Sequence, residues 1–579
     1  MLSARTAQTP SANPPAAPLA VDWRGLGRAY LFFWYFSGVT HLLLFAGGAS
    51  GFAPLRHGIL ASLLWLLPLL AWPRRAKPLA GAIGLVLWTF SLLNLGYFAI
   101  YRQEFSQSVL FIVFESNPAE AGEYIENYFA WWMIPALLAY SAGAWWLWRG
   151  LRPLAVSRAA AGALALAIAA LVVLPGTYRI VYKKKPLDAG TFTQALANGL
   201  EPAVPWQFAV GYAKYERHLR QMQALLEQNR RVPPVARLAD AHAGLPATLV
   251  LVIGESTSRQ HMSLYGYSRP TSPRLESMRD QLAVFRQVAA SRPYTIETLQ
   301  QALTFADQEH PDLYLSSPSL MNIMKQAGYK TWWITNQQTL SGRNTLLASF
   351  AEQTDEQVYL NQARSQNAYS HDGNVLDPFA RILADKAERK FIVVHLLGTH
   401  VVYEYRYPPE FGVFRDRGGL PGWVTDKQLA LINHYDNAVL YNDHVVASLI
   451  ERLRAGGGRS MLLYFSDHGE DVFDSPGHAF MGRNEARPTV PMYTVPFLLW
   501  RSAEWQRAWP RRLDGTLDRP WQTAHLIHAW ADLAGLSFEG YDPEKSLVND
   551  RFRERPLLIG DPGQPKELVD LRPLLGGGR

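Results

Sequence analysis

The stretch ATLVLVIGES, residues 247–256, decides how this chain is read. Residues 249–253 are apolar without interruption and give way at once to Gly254, Glu255 and Ser256. A short unbroken apolar run, rich in β-branched residues, fits a strand buried on both faces rather than one with a solvated side. FIVVHLLGTH (391–400) and MLLYFSDHGE (461–470) repeat the design, and 331–334 and 495–499 add two shorter runs. Helical periods at 317–327 and 426–453 separate them. Strands of this kind alternating with helices predict a parallel-sheet α/β sandwich with helices on both faces, occupying residues 246–579. In such sheets functional groups gather at the C-terminal strand ends. The three longest runs end at Glu255, at Thr399 and His400, and at Asp467 and His468, so the pattern delivers carboxylates and imidazoles to one edge.

The chain has no cysteine, so disulfides, thiolate metal sites and a cysteine nucleophile are excluded. Carboxylate and imidazole donors suit Zn²⁺, with Mn²⁺ as the alternative, and the histidines favour zinc. Thr295, in SRPYTIET (291–298), stands where the apolar period of 296–305 predicts a helix start. Two readings stay open there on spacing alone: a plain N-cap threonine, or a hydroxyl at an anion-binding helix terminus.

The first third of the chain has another character. Apolar segments at 27–47, 57–72, 79–101, 128–148 and 159–175 predict an N-terminal α-helical transmembrane bundle of five spans, with Pro68 inside the short second one. Arg24 and Arg28, then Arg74, Arg75 and Lys77, then Arg149, Arg152 and Arg158 fall on one side of such a bundle. The positive-inside rule makes that side cytoplasmic and the large C-terminal domain extracytoplasmic. Lys183, Lys184 and Lys185 oppose this, but they begin a long exported domain, where the rule weakens. Residues 1–26 read as a disordered cytoplasmic tail, 27–176 as the membrane domain and 177–245 as a linker. Within the linker, Phe208, Tyr212, Tyr215, Leu219 and Met222 recur at helical spacing among basic residues. They mark an interfacial amphipathic helix or an ordinary docked surface helix. The net charge of +7 comes with no nucleic-acid-binding signature, so a membrane surface is the expected partner.

The segments GES (254–256), HLLGTH (395–400), SDHGE (466–470) and the later His478 resemble the alkaline phosphatase superfamily. With five spans before the catalytic domain, the chain resembles the phosphoethanolamine transferases of Gram-negative envelopes. GESTSRQHMSLYGYSRPTSPRL (254–275), SRPYTIETLQQALTF (291–305), PSLMNIMKQAGYKTWWITNQQ (318–338), YDNAVLYNDHVVASLI (435–450) and GLSFEGYDPEKS (535–546) are similar to the branch acting on the lipopolysaccharide core. Members acting on lipid A generally carry cysteines around the nucleophile, which this chain lacks.

That resemblance implies residue roles. Glu255, Thr295, Asp467 and His468 would hold zinc, and Thr295 would be the zinc-activated nucleophile that carries phosphoethanolamine as a phosphothreonine. His400 and His478 would bind the phosphate or a second zinc. Asn336 and Gln337 would contact the headgroup, and Ser116, Asn117 and Glu120 in the outer membrane loop would form a substrate-facing group, with Ser116 in place of the commoner threonine. Thr298, one helical turn beyond Thr295, is the rival nucleophile. The implied donor is phosphatidylethanolamine and the implied acceptor lipopolysaccharide, core heptose before lipid A phosphate. The implied location is the bacterial inner membrane, with the catalytic domain in the periplasm. A phosphoglycerol transferase using phosphatidylglycerol, and a catalytically inactive envelope scaffold or receptor, are the alternatives.

Overall fold

A computed structural model describes residues 21–101, 130–182, 189–229, 234–337, 345–361, 370–485 and 487–575. The chain forms two compact units, dividing near residue 213. The first is helical: α1 Trp23–Ala46, α2 Phe52–Ala61, α3 Leu66–Ala71, α4 Ala76–Tyr101, α5 Met133–Arg149, α6 Arg158–Tyr182, α7 Ala189–Leu200 and α8 Trp206–Asn229, whose residues from Lys214 onward count with the second unit. Phe32, Phe33, Phe36, Leu69 and Leu87 pack inside, whereas Leu85 and Leu166 are 64% and 74% exposed. Apolar side chains on the outside as well as the inside are what a bundle surrounded by lipid requires.

Among the described residues, four helical stretches are long and apolar enough to cross a membrane: Trp23–Ala46, Phe52–Ala71, Pro73–Ile100 and Arg158–Tyr178. The fourth of the five expected spans corresponds to α5, which has 17 residues. The second span, which carries Pro68, is interrupted. A proline in a helix interior withholds an N–H and crowds the preceding turn, and here Ser62–Trp65 winds as a 3₁₀ turn between α2 and α3. The start of α8 docks on the bundle: Trp206 stacks on Trp65 with ring centroids 4.9 Å apart, and Asn94 Nδ2 donates to Gln207 Oε1 at 2.9 Å.

The second unit is built on a seven-stranded sheet: β1 Ala247–Gly254, β2 Leu282–Val284, β3 Lys330–Thr335, β4 Glu356–Tyr359, β5 Arg389–His395, β6 Ser460–Ser466 and β7 Phe497–Arg501, in the order β2-β7-β6-β1-β5-β3-β4. Alternate residues of β1 feed two cores. Leu249, Leu251 and Ile253 face one with Leu299 and Trp530, while Val250 and Val252 face the other with Tyr435 and Phe379. Helices therefore cover both faces, as the sequence predicts. One correction concerns β7, expected parallel but antiparallel to β6 and β2. Its apolar run reports burial on both faces, which an antiparallel strand inside a sandwich shares with a parallel one.

The register matters most for function. β1 lies parallel between β5 and β6, with Ile253 opposite His395 and Gly254 opposite Ser466. Three strands thus end level, and the residues after β1 and β6 emerge side by side.

Candidate active site

Where β1 ends, Glu255 turns into the space beside Asp467 and His468, which follow β6; all three are buried. Ser256 takes a left-handed backbone, φ 57°, and its N–H donates to Asp467 Oδ1 at 3.2 Å. Thr295 comes from the helix α9, Thr295–Ala302, as its first residue; Tyr294 occupies the cap position. The expectation of an N-terminal position thus holds to within one residue. Its Oγ1 donates to Glu255 Oε2 at 2.8 Å and lies 3.4 Å from His468 Nε2. The rival Thr298 is fully buried and its hydroxyl donates to Arg292 O at 2.9 Å. It has no access to a substrate.

The donor set fits a tetrahedral metal. Ligands at about 2.0–2.2 Å from zinc stand about 3.3–3.6 Å from one another. Here His468 Nε2 is 3.3 Å from Glu255 Oε1 and 3.4 Å from both Asp467 Oδ2 and Thr295 Oγ1. Asp467 Oδ2 is buried with no hydrogen-bond partner, a cost that a cation would remove. His468 Nδ1 donates to Gly469 O at 3.0 Å, which leaves Nε2 as the lone-pair atom facing the cluster. Burial, with Arg483 beside it, lowers the His468 pKa and keeps the ring in the neutral form that metal binding needs. For Asp467, burial and the adjacent Glu255 push the carboxyl well above its ordinary range. Burial acts upward on Glu255 too, but His468, His400 and Arg483 outweigh it and hold that carboxyl well below the usual value. Two carboxyls driven apart in this way are a site in want of a divalent positive charge.

Another carboxylate–histidine group, Asp307, Glu309 and His310, has two exposed members, and Asp307 is already paired with Lys545 at 2.7 Å. It lacks these features.

Supporting residues hold the cluster in shape. Gln337 Nε2 donates to Glu255 Oε2 at 3.3 Å and to Leu396 O at 2.8 Å. Asn336 is fully buried and donates to Asp372 Oδ1 at 2.8 Å; the Asp372 carboxylate also accepts the N–H groups of Leu397 and Gly398 at 2.8 and 2.7 Å. Both residues predicted to contact a headgroup are thus engaged inside the protein, Gln337 on the site itself and Asn336 one layer behind. Gly398 adopts φ +56°, and a Cβ there would lie 2.6 Å from Glu255 O. His400 is half-buried with Nδ1 unpartnered; burial lowers its pKa to about 4, and it feels Glu255, Arg483 and His468. His478 is placed differently. Its ring stacks on Trp423 at 3.6 Å and its Nδ1 donates to Phe473 O at 2.7 Å, apart from the Glu255–Asp467–His468 group. Ser116, Asn117 and Glu120 lie outside the described residues.

Arg483 is absent from the sequence reading. Its Nη1 lies 2.5 Å from His468 Nε2, on the lone pair that a metal would take over from it, and 3.7 Å from Glu255 Oε1, while its Nε is 3.6 Å from Glu470 Oε2. The short antiparallel pair of Asp471–Val472 with Met481–Gly482 carries it back to the strand ends. Behind it, Arg292 makes a bidentate pair with Glu485, joining the loop before Thr295 to the loop after Arg483.

A family model described as Sulfatase matches residues 247–536. The phosphoethanolamine transferase EptC of Escherichia coli is 49% identical over 565 residues, 97% of each chain. Among solved structures, the C-terminal periplasmic domain of Escherichia coli EptC in complex with Zn shares 54% identity, covering 60% of this chain and 98% of that one with a TM-score of 0.58. The integral membrane lipooligosaccharide phosphoethanolamine transferase A of Neisseria meningitidis matches 93% of this chain and 100% of its own at 18% identity, TM-score 0.60, and so shares the fold.

Proposed function

Since the chain belongs to the phosphoethanolamine transferases with a sulfatase-type catalytic domain, we propose that it moves phosphoethanolamine from phosphatidylethanolamine to lipopolysaccharide, with core heptose as acceptor and Thr295 as carrier. The enzyme would sit in a bacterial inner membrane with a cytoplasmic N-terminus. Residues 27–176 form its anchor, 177–245 its linker and 246–579 its periplasmic catalytic domain. The observation that carries this reading is the Thr295 hydroxyl, 2.8 Å from Glu255 Oε2 and 3.4 Å from His468 Nε2, at the start of a helix.

Glu255, Thr295, Asp467 and His468 would hold the zinc. When bound, zinc would lower the pKa of the Thr295 hydroxyl and neutralise charge on the phosphoryl oxygens. Thr295 Oγ1 attacks phosphorus while its proton, already directed at Glu255 Oε2, passes to that oxygen. The bond from phosphorus to the glycerol oxygen breaks, that oxygen takes up the proton and diacylglycerol leaves. Phosphoethanolamine remains on Thr295 until an acceptor hydroxyl attacks the same phosphorus and Thr295 recovers its proton. Arg483 would meet the charge that gathers on the phosphoryl oxygens, and His400 would offer them its unpartnered Nδ1. His478 lies on the 471–478 loop, and its part is to meet the substrate rather than the first metal. Gln337 fixes the orientation of Glu255.

Purified enzyme incubated with headgroup-labelled lipids tests this directly. Label from phosphatidylethanolamine should reach Thr295 as an intact-mass adduct, absent in Thr295→Ala and retained in Thr298→Val. Transfer from phosphatidylglycerol alone would sink the donor assignment. An adduct on Thr295→Ala would sink the carrier.

A further inference from the structure

We propose that the membrane unit holds a glycerophospholipid in a cleft of its own, with the phosphodiester against Arg56 and the acyl chains along α6. The cleft, of about 240 Å³, lies between α2, α6 and α7, with Leu60, Leu171 and Leu196 on its walls and Arg56 and His57 as its charged and polar lining. Arg56 is the one charged residue in the stretch Phe52–Ala71, which is otherwise apolar enough to span a bilayer. An arginine among lipid-facing residues is expensive unless something answers its charge. Among the described residues no carboxylate does so. The neighbour of Arg56 is His57 Nε2 at 3.5 Å, and His57 Nδ1 donates to Gly199 O at 2.7 Å, so the ring offers a lone pair and no negative charge. Among the described residues the cation on this cleft therefore has no anion to pair with.

A second feature of the wall is a proline within α6. Pro175 lies inside α6 and has no N–H to give to the carbonyl of Leu171, four residues earlier. Both residues line the cleft. Pro175 thus removes one backbone donor from the stretch of α6 that lines the cleft, and nothing on that wall competes with the guanidinium for an anion. The size supports the same occupant. Clefts that enclose a whole drug-sized ligand hold about 300–1,000 Å³, so this one takes a headgroup and the glycerol end but not two chains. Leu166, Leu171 and Leu174 are 74%, 51% and 61% exposed along α6 and offer the chains an apolar track. Free phosphate would gain nothing from these walls.

The proposal rests on the membrane reading of the helical unit and not on the transfer chemistry. It is tested on the full chain in maltoside micelles, which contribute no phosphate, in a Thr295→Ala background that prevents turnover. Phosphatidylethanolamine, phosphatidylglycerol and diacylglycerol, each with a photoactivatable acyl chain, are crosslinked and the adducts mapped by mass spectrometry. Both phospholipids should label peptides containing residues 56–61 and 171–200, and diacylglycerol should not. Arg56→Gln should lower that labelling by about tenfold, the scale of one charge-assisted hydrogen bond. Leu60→Trp, which fills the cleft and keeps the charge, should lower it as well. Equal labelling by diacylglycerol, or labelling unchanged in either variant, overturns the proposal.

Discussion

At the scale of single residues, Thr295 and Arg483 divide the work. In the proposed reaction Thr295 would change covalent partner, and Arg483 would meet the charge of the developing transition state. Its Nε is 3.6 Å from Glu470 Oε2 and its Nη1 3.7 Å from Glu255 Oε1, so two carboxylates hold the guanidinium at the edge of the metal cluster. Donors held in place in this way typically contribute about 10²–10³ in rate. Arg483→Gln should therefore lower kcat by about that factor while KM for the lipid donor changes little. A variant that raises KM and leaves kcat intact would make Arg483 a binding residue instead. Sequence reasoning had no means to single it out, since it is one of 56 Lys and Arg residues and follows no long strand. Glu255, Asp467 and His468 were legible for the opposite reason: each directly follows an unbroken apolar run, and the register of β1 with β6 turns sequence position into proximity.

At the scale of elements, the loop after β5 shows how tightly the strand ends are bound together. Leu397 and Gly398 hang by their N–H groups from Asp372, and Thr399 N donates to Glu255 O at 2.9 Å. Gly398 permits this approach because it accepts φ +56° and leaves room for the Glu255 backbone. Gly398→Ala should displace Glu255, cost about 1–3 kcal/mol of stability and reduce bound zinc, measured by chemical denaturation and by metal analysis. Retention of full zinc content and activity would show that the loop yields. Neither Asp372 nor the left-handed glycine is marked in the sequence, because a buried aspartate and a glycine after a strand are both commonplace. His478 was named from the resemblance, but its surroundings were not legible, for a related reason. Its placement depends on a left-handed backbone, φ 46°, and on stacking against Trp423, neither of which has a local signature. The second span was legible in composition but not in shape, since Pro68 and the 3₁₀ turn leave its hydropathy unchanged.

At the scale of the whole molecule, stability should depend on pH on two sides. Burial alone would lower the pKa of His261, but Asp474 and Asp436 raise it to about 10; Asp436 Oδ1 lies 2.7 Å from its Nδ1. Its contribution is fully present below the unfolded value of about 6.5 and is lost as pH rises through 10. His525 and His528 are the reverse case. Burial lowers them to about 3 and 4, and His528 Nδ1 accepts the N–H of Asp542 at 3.1 Å, so their contribution is present above about 6.5 and is lost as pH falls toward 4. The melting midpoint of the full chain, with chelator present to remove zinc effects, should peak between these limits. His261→Gln should flatten the alkaline limb. An alkaline limb identical to that of the parent would remove His261 from the account.

The pairing of β1 with β6 also governs when the metal can be taken up. Ser256 and Asp467, joined by a hydrogen bond, are 211 residues apart, so closing the chain between them is a late, non-local event. If Glu255, Thr295, Asp467 and His468 hold the zinc as proposed, a nascent chain that has delivered β1 across the membrane but not β6 has only Glu255 and Thr295 to offer, too few donors to retain it. Metallation at the proposed site would thereby wait for the pairing of β1 with β6, and the ion would be drawn from the compartment where the finished domain resides.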